Sequence, residues 1–472
     1  MPISRTMLQS RQQGPTEMIS PMAGIAQAVR LRDEGDATML RDRYDNEIST
    51  TSATARDRYV EGMDALLAGQ SEMTAGFQAA IEADPGFALG HAGLARARMI
   101  SGDMDGARAA MKQARALSGD LSAKQASHVN ALGLLIDGRG AEAHRAVRAH
   151  AADHPRDALV AQICTSVFGL IGFSGQPGRE ADLLAYTASL LQHYGEDWWC
   201  LSQHAFSLCE VGRIDEADTM IDISLSLNPQ NAHGAHVRSH IYYEAGNTGA
   251  GLAYLGEWLG GYDRAALLHG HLSWHCALWA MEQGDTDRMW RTIDADVVPG
   301  AAKGLPINVL TDTASILYRA ELAGVKVSPD RWREVSAYAT RFFPKGGLAF
   351  VEVHAALAHA MAGDTDALRA TVENSTGPAA HLVRDFAEAY SAIARQSWAE
   401  AVTHLSRAMA DHARIGGSRA QRDLLEVTLL GALLKNRTDR RGAPPLDAAP
   451  SPTGRKNGHI WTPHKCQAIS YT

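Results

Sequence analysis

The stretch AFSLCEVGRIDEADTMIDISLSLNPQNAHGAHVRSHIYYEAGNTGAG, residues 205–251, decides how the rest of the chain is read. Ala205, Leu208 and Cys209 recur at spacings of three and one, Gly212-Arg213 interrupts, and Ile214, Ala217 and Ile221 resume at three and four. Apolar residues at such spacings line one buried face of an α-helix. Glycine takes the left-handed conformation that ends a helix. The small Ala217, five residues on, lets the next helix lie close to the first. Asn228-Pro229 then ends that second helix, because proline disfavours helical geometry in the residue before it and suits the first turn of a following helix. The stretch therefore reads as a helix hairpin, a proline turn, another helix, and a further glycine turn at Gly246-Asn247 ahead of Gly251.

The pattern extends outward in both directions. It recurs as Gly102-Asp103…Ala107, Gly138-Arg139…Ala143, Gly284-Asp285…Met289 and Gly363-Asp364…Leu368, with Gln396-Ser397…Ala401 as a degraded copy. Where Asp follows the glycine it can cap the next helix by accepting its free N–H groups. The steps between neighbouring copies are 36, 74, 34, 38, 79 and 33 residues. The two long steps are about double, and Gly175 and Gly324 stand where hidden copies belong. Asp84-Pro85 and His154-Pro155 join Asn228-Pro229 at spacings of 70 and 74, again two periods. A helix–turn–helix unit of about 36 residues has the tetratricopeptide period. One such unit cannot bury its apolar face alone, so units stack. The expected fold is all-α: an α-solenoid, a right-handed superhelix of about ten TPR-like helix-turn-helix units. No run of alternating β-branched residues competes with this reading.

The expected organisation is a flexible leader over residues 1–41, the solenoid over 42–435, and a disordered tail over 436–472, where Pro, Arg and Gly displace helical periodicity. The leader lacks the apolar core of a signal peptide. The chain has 472 residues, with 45% hydrophobic and 21% charged, ordinary globular values. No apolar run approaches the ~18 residues of a membrane helix. Lys+Arg 45 against Asp+Glu 53 leaves a net charge of −8, which argues against nucleic acid or an anionic membrane as the main partner. Cys164, Cys200, Cys209, Cys276 and Cys466 are scattered and odd in number, which suits a reducing compartment and offers no CxxC pair to a structural zinc.

Several motifs go beyond the generic repeat. Ile48-Ser49-Thr50-Thr51-Ser52 with Ala55-Arg56-Asp57 and Tyr59-Val60-Glu61-Gly62 opens the body, followed by Phe87-Ala88-Leu89-Gly90-His91-Ala92. The middle carries Asp197-Trp198-Trp199, His236-Val237-Arg238-Ser239-His240 and His271-Leu272-Ser273-Trp274-His275. Phe350 to His354-Ala355-Ala356 and Gly416-Gly417-Ser418-Arg419-Ala420-Gln421-Arg422-Asp423 follow. With these motifs, residues 42–435 resemble the tetratricopeptide repeat protein 38 family. The resemblance implies an irregular, cytoplasmic helical-repeat protein and brings no well-established activity. The chain departs from that family at Tyr243, where an acid is usual and Glu244 is adjacent, at Glu352 in place of Asp, and at Arg419 in place of His.

Twenty histidines include several that fall together. His233, His236 and His240 share one face of a helix, and His271 and His275 form another i, i+4 pair. In a solenoid, equivalent helices of adjacent units lie side by side, so second helices of successive units bring these imidazoles, and His354, within reach of one another. Three readings stay open: a divalent metal bound by His236, His240, His271 and His275 with Glu244, Asp312 or Glu352 as carboxylate; ligand binding or acid–base work without metal, in which His240 and His275 would be catalytic; or buried histidines serving structure. HExxH and GxSxG are absent. Arg419, Arg422 and Asp423 open a helix after two glycines, where free N–H groups and two guanidiniums suit a carboxylate or phosphate; the alternative is a capped turn with a surface ion pair. Trp274 is one of six central tryptophans that build core or wall a pocket.

Two functional classes follow. In the first, the concave surface binds a partner protein, a peptide or a small ligand, as extended inner surfaces of such repeats do. In the second, an enzyme or small-molecule binder uses the central His-rich pocket. His236, His271, His354, Trp274, Arg419, Arg422 and Asp423 are its expected ligand contacts, and the ligand is small and anionic.

Overall fold

In a computed structural model, residues 40–441 are described. The expectations for the leader up to Met39 and for the tail beyond Arg441 lie outside them. Twenty-one α-helices follow one another: α1 (Ala53–Ala68), α2 (Met73–Ala83), α3 (Ala88–Ile100), α4 (Met104–Ala116), α5 (Ala123–Ile136), α6 (Gly140–Asp153), α7 (Ala158–Ala161), α8 (Arg179–Tyr194), α9 (Trp198–Glu210), α10 (Ile214–Leu227), α11 (Ala232–Glu244), α12 (Thr248–Trp258), α13 (His269–Glu282), α14 (Thr286–Asp296), α15 (Pro306–Leu322), α16 (Pro329–Phe342), α17 (Ala349–Ala362), α18 (Thr365–Asn374), α19 (Ala380–Ala394), α20 (Trp398–Met409) and α21 (Arg419–Arg441). Among the described residues there is no β-strand, only an isolated bridge between Arg41 and Glu47. Ten consecutive pairs plus α21 make a TPR-like helical-repeat solenoid.

The repeat signature works as chemistry. Every marker glycine of the pattern, Gly102, Gly138, Gly212, Gly246, Gly284, Gly324 and Gly363, has a positive φ between 69° and 83°. In the degraded copy Gln396 holds the same turn at φ 59°. Its N–H reaches Ile393 O at 2.9 Å while Ser397 N–H reaches Ala392 O at 2.8 Å. Asp103, Asp285 and Asp364 cap the next helix, each accepting the N–H three residues on. Where Arg replaces Asp there is no side-chain cap, and Arg139 and Arg213 bind Glu142 and Glu216 in the first turn instead. The small residue that follows is fully buried at Ala107, Ala143, Ala217 and Ala401.

Two expectations need correction. The marker glycines lie inside the tight hairpins, so α11 and α13, which carry the histidine pairs, are first helices of their units rather than second helices. The copy near Gly175 has no ordinary hairpin: α7 is a single turn, residues 165–178 form an irregular loop, and α8 starts only at Arg179. The last helix, α21, runs to Arg441.

First and second helices differ in burial. In α9, α13, α15 and α17 nearly every residue is buried. By contrast α10, α14 and α20 bury only one stripe, such as Met289 and Ile293 of α14. First helices therefore form an inner layer covered on both sides. The cover is the 165–178 loop together with the 412–418 segment and the start of α21. Arg179 donates to Gly417 O at 2.8 Å, Arg414 to Gly175 O at 2.9 Å, and Arg319 of α15 to Ala420 O at 2.7 Å. Phe173 and Phe350 pack against Gly416 and Gly417 so closely that an added Cβ would sit under 3 Å from their rings. None of the described helices is long and apolar enough to cross a membrane.

Candidate metal-binding pocket

α11 and α13 lie side by side in the inner layer, and each offers two imidazoles one turn apart. One nitrogen from each of His236, His240, His271 and His275 lies within 4.8 Å of the other three. His236 Nε2 is 2.9 Å from His240 Nε2 and 3.0 Å from His271 Nε2. The His275 ring stands 4.8 Å from that of His240 and 5.0 Å from that of His271. His240, His271 and His275 are buried, and His236 is partly exposed where it meets a cavity. Burial, reinforced by the neighbouring imidazoles, holds His236 and His275 well below the usual histidine range and pushes His240 down to about 3. These rings are therefore neutral, the state in which imidazole ligates metal.

Of the three carboxylates proposed to complete the site, Asp312 of α15 is the one in contact: its Oδ2 is 2.8 Å from His271 Nδ1. Glu244 instead faces Arg419 at 3.2 Å, and Glu352 accepts from Gly347 N and, at 2.5 Å, from Ser375 Oγ. Asn308 and Gln421 bring their amides toward the Asp312 carboxyl without reaching hydrogen-bond geometry. Burial pushes Asp312 above the usual carboxylate range. His240 Nδ1, both ring nitrogens of His275 and Asp312 Oδ1 are buried without a hydrogen-bond partner. Trp274 stacks on His271 at 5.3 Å and meets His275 edge-on at 4.9 Å, so it walls the cluster from the core side.

The remaining expected residues do other things. His354 lies apart from the four; its Nδ1 is 2.7 Å from Phe350 O and its ring packs on Phe350, so its role is structural. The anion expected at Gly416–Asp423 is supplied by the chain itself. Glu210 of α9, 209 residues away, accepts from Arg419 N at 3.0 Å and lies 3.8 Å from Arg422. Arg422 also pairs with Glu180, and Asp423 accepts from Tyr243 Oη at 3.0 Å. Burial raises both Glu210 and Glu244 to about 7 despite these arginines.

A cavity of about 330 Å³ opens beside the cluster, bordered by His233, His236, His271, Asn308, Ser418 and Gln421 and otherwise mainly apolar. Its size falls within the range of small-molecule sites. A second cavity of about 570 Å³ lies near the loop before α17; on its wall Glu352 accepts from Gly347 N and Ser375 Oγ, and His359 pairs with Ser336 Oγ at 2.8 Å. The sequence reading missed a second cluster. Asp157 Oδ2 is 2.8 Å from His128 Nδ1 and 3.0 Å from His150 Nε2, and His150 Nδ1 is 2.6 Å from Ser127 Oγ. That order suggests a nucleophile triad, yet Ser127 Oγ donates to Lys124 O, and the adjacent cavity measures only about 10 Å³ with Ser127 outside its wall. It braces α5 against α6.

No family model matches the chain. Among solved structures, the human IFIT1 dimer with m7Gppp-AAAA is similar over 86% of this chain and 91% of its own, at 13% identity and a TM-score of 0.43. The P58(IPK) TPR domain is similar over 82% and 100% at 16% identity, with a TM-score of 0.20. The Naa15/Naa10 complex bound to HypK-THB is similar over 82% and 84% at 13% identity, with a TM-score of 0.30. At these values none of them bears on the site or its ligand.

Proposed function

We propose that this TPR-like protein binds a divalent transition metal ion through His236, His240, His271 and His275, beside a cavity sized for a small ligand. One observation carries the reading: His236 Nε2 faces the Nε2 atoms of both His240 and His271 within 3.0 Å. A neutral imidazole has one N–H and one lone pair, so the His236 nitrogen satisfies one of these neighbours at most. A dication accepts all of them. Zn–N bonds of 2.0–2.1 Å in a tetrahedron place nitrogens roughly 3.3 Å apart, so His236 would part from His240 and His271 by a few tenths of an ångström and His275 would move inward. Asp312 on His271 Nδ1 is the outer partner that fixes tautomer and ring orientation in histidine metal sites. An all-imidazole set suits zinc, iron or copper better than the oxygen-seeking magnesium or calcium.

The reading in which a partner protein or peptide lies along an open groove has less support, because α9, α13, α15 and α17 have no exposed face for it. Membership of the tetratricopeptide repeat protein 38 family, and residence in the cytoplasm, remain part of the proposal and rest on the motifs quoted above and on the four described cysteines being free. Cobalt(II) titration tests the metal. A visible d–d band saturating at one ion per chain, and lost in His240→Ala/His275→Ala, is expected; a wild-type protein that shows no band overturns the reading.

A further inference from the structure

The same cavity holds a cation that the chain does not neutralise. Arg96 of α3 borders it. Its Nη2 donates to the neutral Gln162 Oε1 at 3.0 Å, its Nη1 lies 3.8 Å from Met99 Sδ, and its Nε is buried without a partner. Burial lowers it to about 10, with no carboxylate acting in the other direction. No residue bordering the cavity is Asp or Glu. Of the buried guanidiniums, Arg238 and Arg422 reach carboxylates, Asp218 and Asp222 for the first and Glu180 for the second, while Arg179 and Arg319 reach backbone carbonyls. Arg96 is partly buried with its Nε shielded from solvent, and a charge so placed is costly unless something compensates it.

Much of the rest of the wall is apolar, with Met99, Leu135, Val167, Phe168, Leu170 and Leu268 among its residues. At about 30 Å³ for each water-sized group, the cavity holds on the order of ten non-hydrogen atoms. We propose that this pocket takes an organic monoanion with an apolar body, a medium-chain carboxylate in its simplest form, whose oxyanion is paired by Arg96 and Gln162 and whose chain lies along the apolar wall. The inference goes beyond the metal reading and does not depend on it, because the anion contact stands on Arg96 alone. It also replaces Arg419 and Arg422, which are already engaged by Glu210 and Glu180, as the residues that hold the anion.

Octanoate, whose ten non-hydrogen atoms match the estimated capacity, is the probe, titrated calorimetrically into the full chain, with bound metal quantified on the same samples. Octanoate should bind, and octanamide, the same size without the charge, should bind at least tenfold more weakly. Arg96→Met should lose at least tenfold in octanoate affinity, Arg96→Lys should recover part of it, and both should keep the wild-type metal content. Because Arg96→Met removes an uncompensated cation, it should melt no lower than the wild type without ligand, which separates lost binding from lost folding. Octanoate that fails to bind, that binds no better than octanamide, or that binds Arg96→Met as well as wild type overturns the inference. Arg96-dependent octanoate binding by a protein devoid of metal would sink the metal reading alone.

Discussion

Replacing Asp312 with Asn keeps the size of the side chain next to His271 and removes its charge. The carboxylate sits 2.8 Å from His271 Nδ1 in a buried setting, leaving Nε2 on the side of the other imidazoles. An outer-shell carboxylate of this kind typically contributes 10–100-fold to metal affinity, or about 1.4–2.8 kcal/mol. Asp312→Asn is therefore expected to weaken zinc binding by that factor, measured by competition with a chromogenic chelator. Glu352→Gln is the matched control: it is another buried carboxyl of the inner layer, occupied by Gly347 and Ser375 and away from the cluster. Its zinc affinity should equal that of the wild type. If Asp312→Asn binds zinc as tightly as the wild type, or if both variants lose affinity equally, the argument that Asp312 orients a metal-bound imidazole is refuted.

Gln396→Gly should stabilise the protein by about 0.5–1 kcal/mol, because the left-handed turn at φ 59° costs a side-chain-bearing residue more than the extra freedom of glycine costs in the unfolded chain; a lower midpoint in chemical denaturation would contradict this. His354 gives a pH signature. Burial lowers it to about 4 from 6.5 in the unfolded chain, so its contribution is fully present above pH 6.5 and is lost as pH falls through about 4. At about 1.4 kcal/mol per unit, this one group removes up to about 3 kcal/mol across that window, and His354→Leu should show a correspondingly flatter acid limb in denaturation midpoints against pH; an unchanged slope argues against it. Glu210 acts with the opposite sign. Raised to about 7, it favours the folded state below pH 4.5 and that advantage is lost as pH rises through 7, so Glu210→Gln should reduce the loss of stability between those values; a variant that tracks the wild type there would count against a buried, desolvated Glu210.

What was legible in the sequence is what depends on near neighbours. The glycine turns, the Asp caps and the buried alanines act within one hairpin, so their spacing betrayed ten units, and even the degraded Gln396 copy kept its backbone. The i, i+4 pairing of His236 with His240 and of His271 with His275 is likewise local, and one repeat step brings the pairs together. The rest depends on contacts that no spacing encodes. Which helix of a hairpin faces inward is decided by how successive hairpins stack, and the marker glycines alone suggested the wrong frame. The Gly416–Asp423 segment has every local feature of an anion site, yet Glu210 reaches it from 209 residues away. Arg96 had no motif at all. Its significance comes from the absence of any acid around a cavity assembled from α3, α11, α13, α15 and the 165–178 loop.

The central claim is that four inward-facing imidazoles form one metal site, and elemental analysis of the purified full chain after zinc reconstitution and exhaustive dialysis tests it most directly. The account predicts one zinc per chain for the wild type and none for His236→Ala/His271→Ala. Zinc well below stoichiometric in a folded wild type, or equal retention by that double variant, would contradict it.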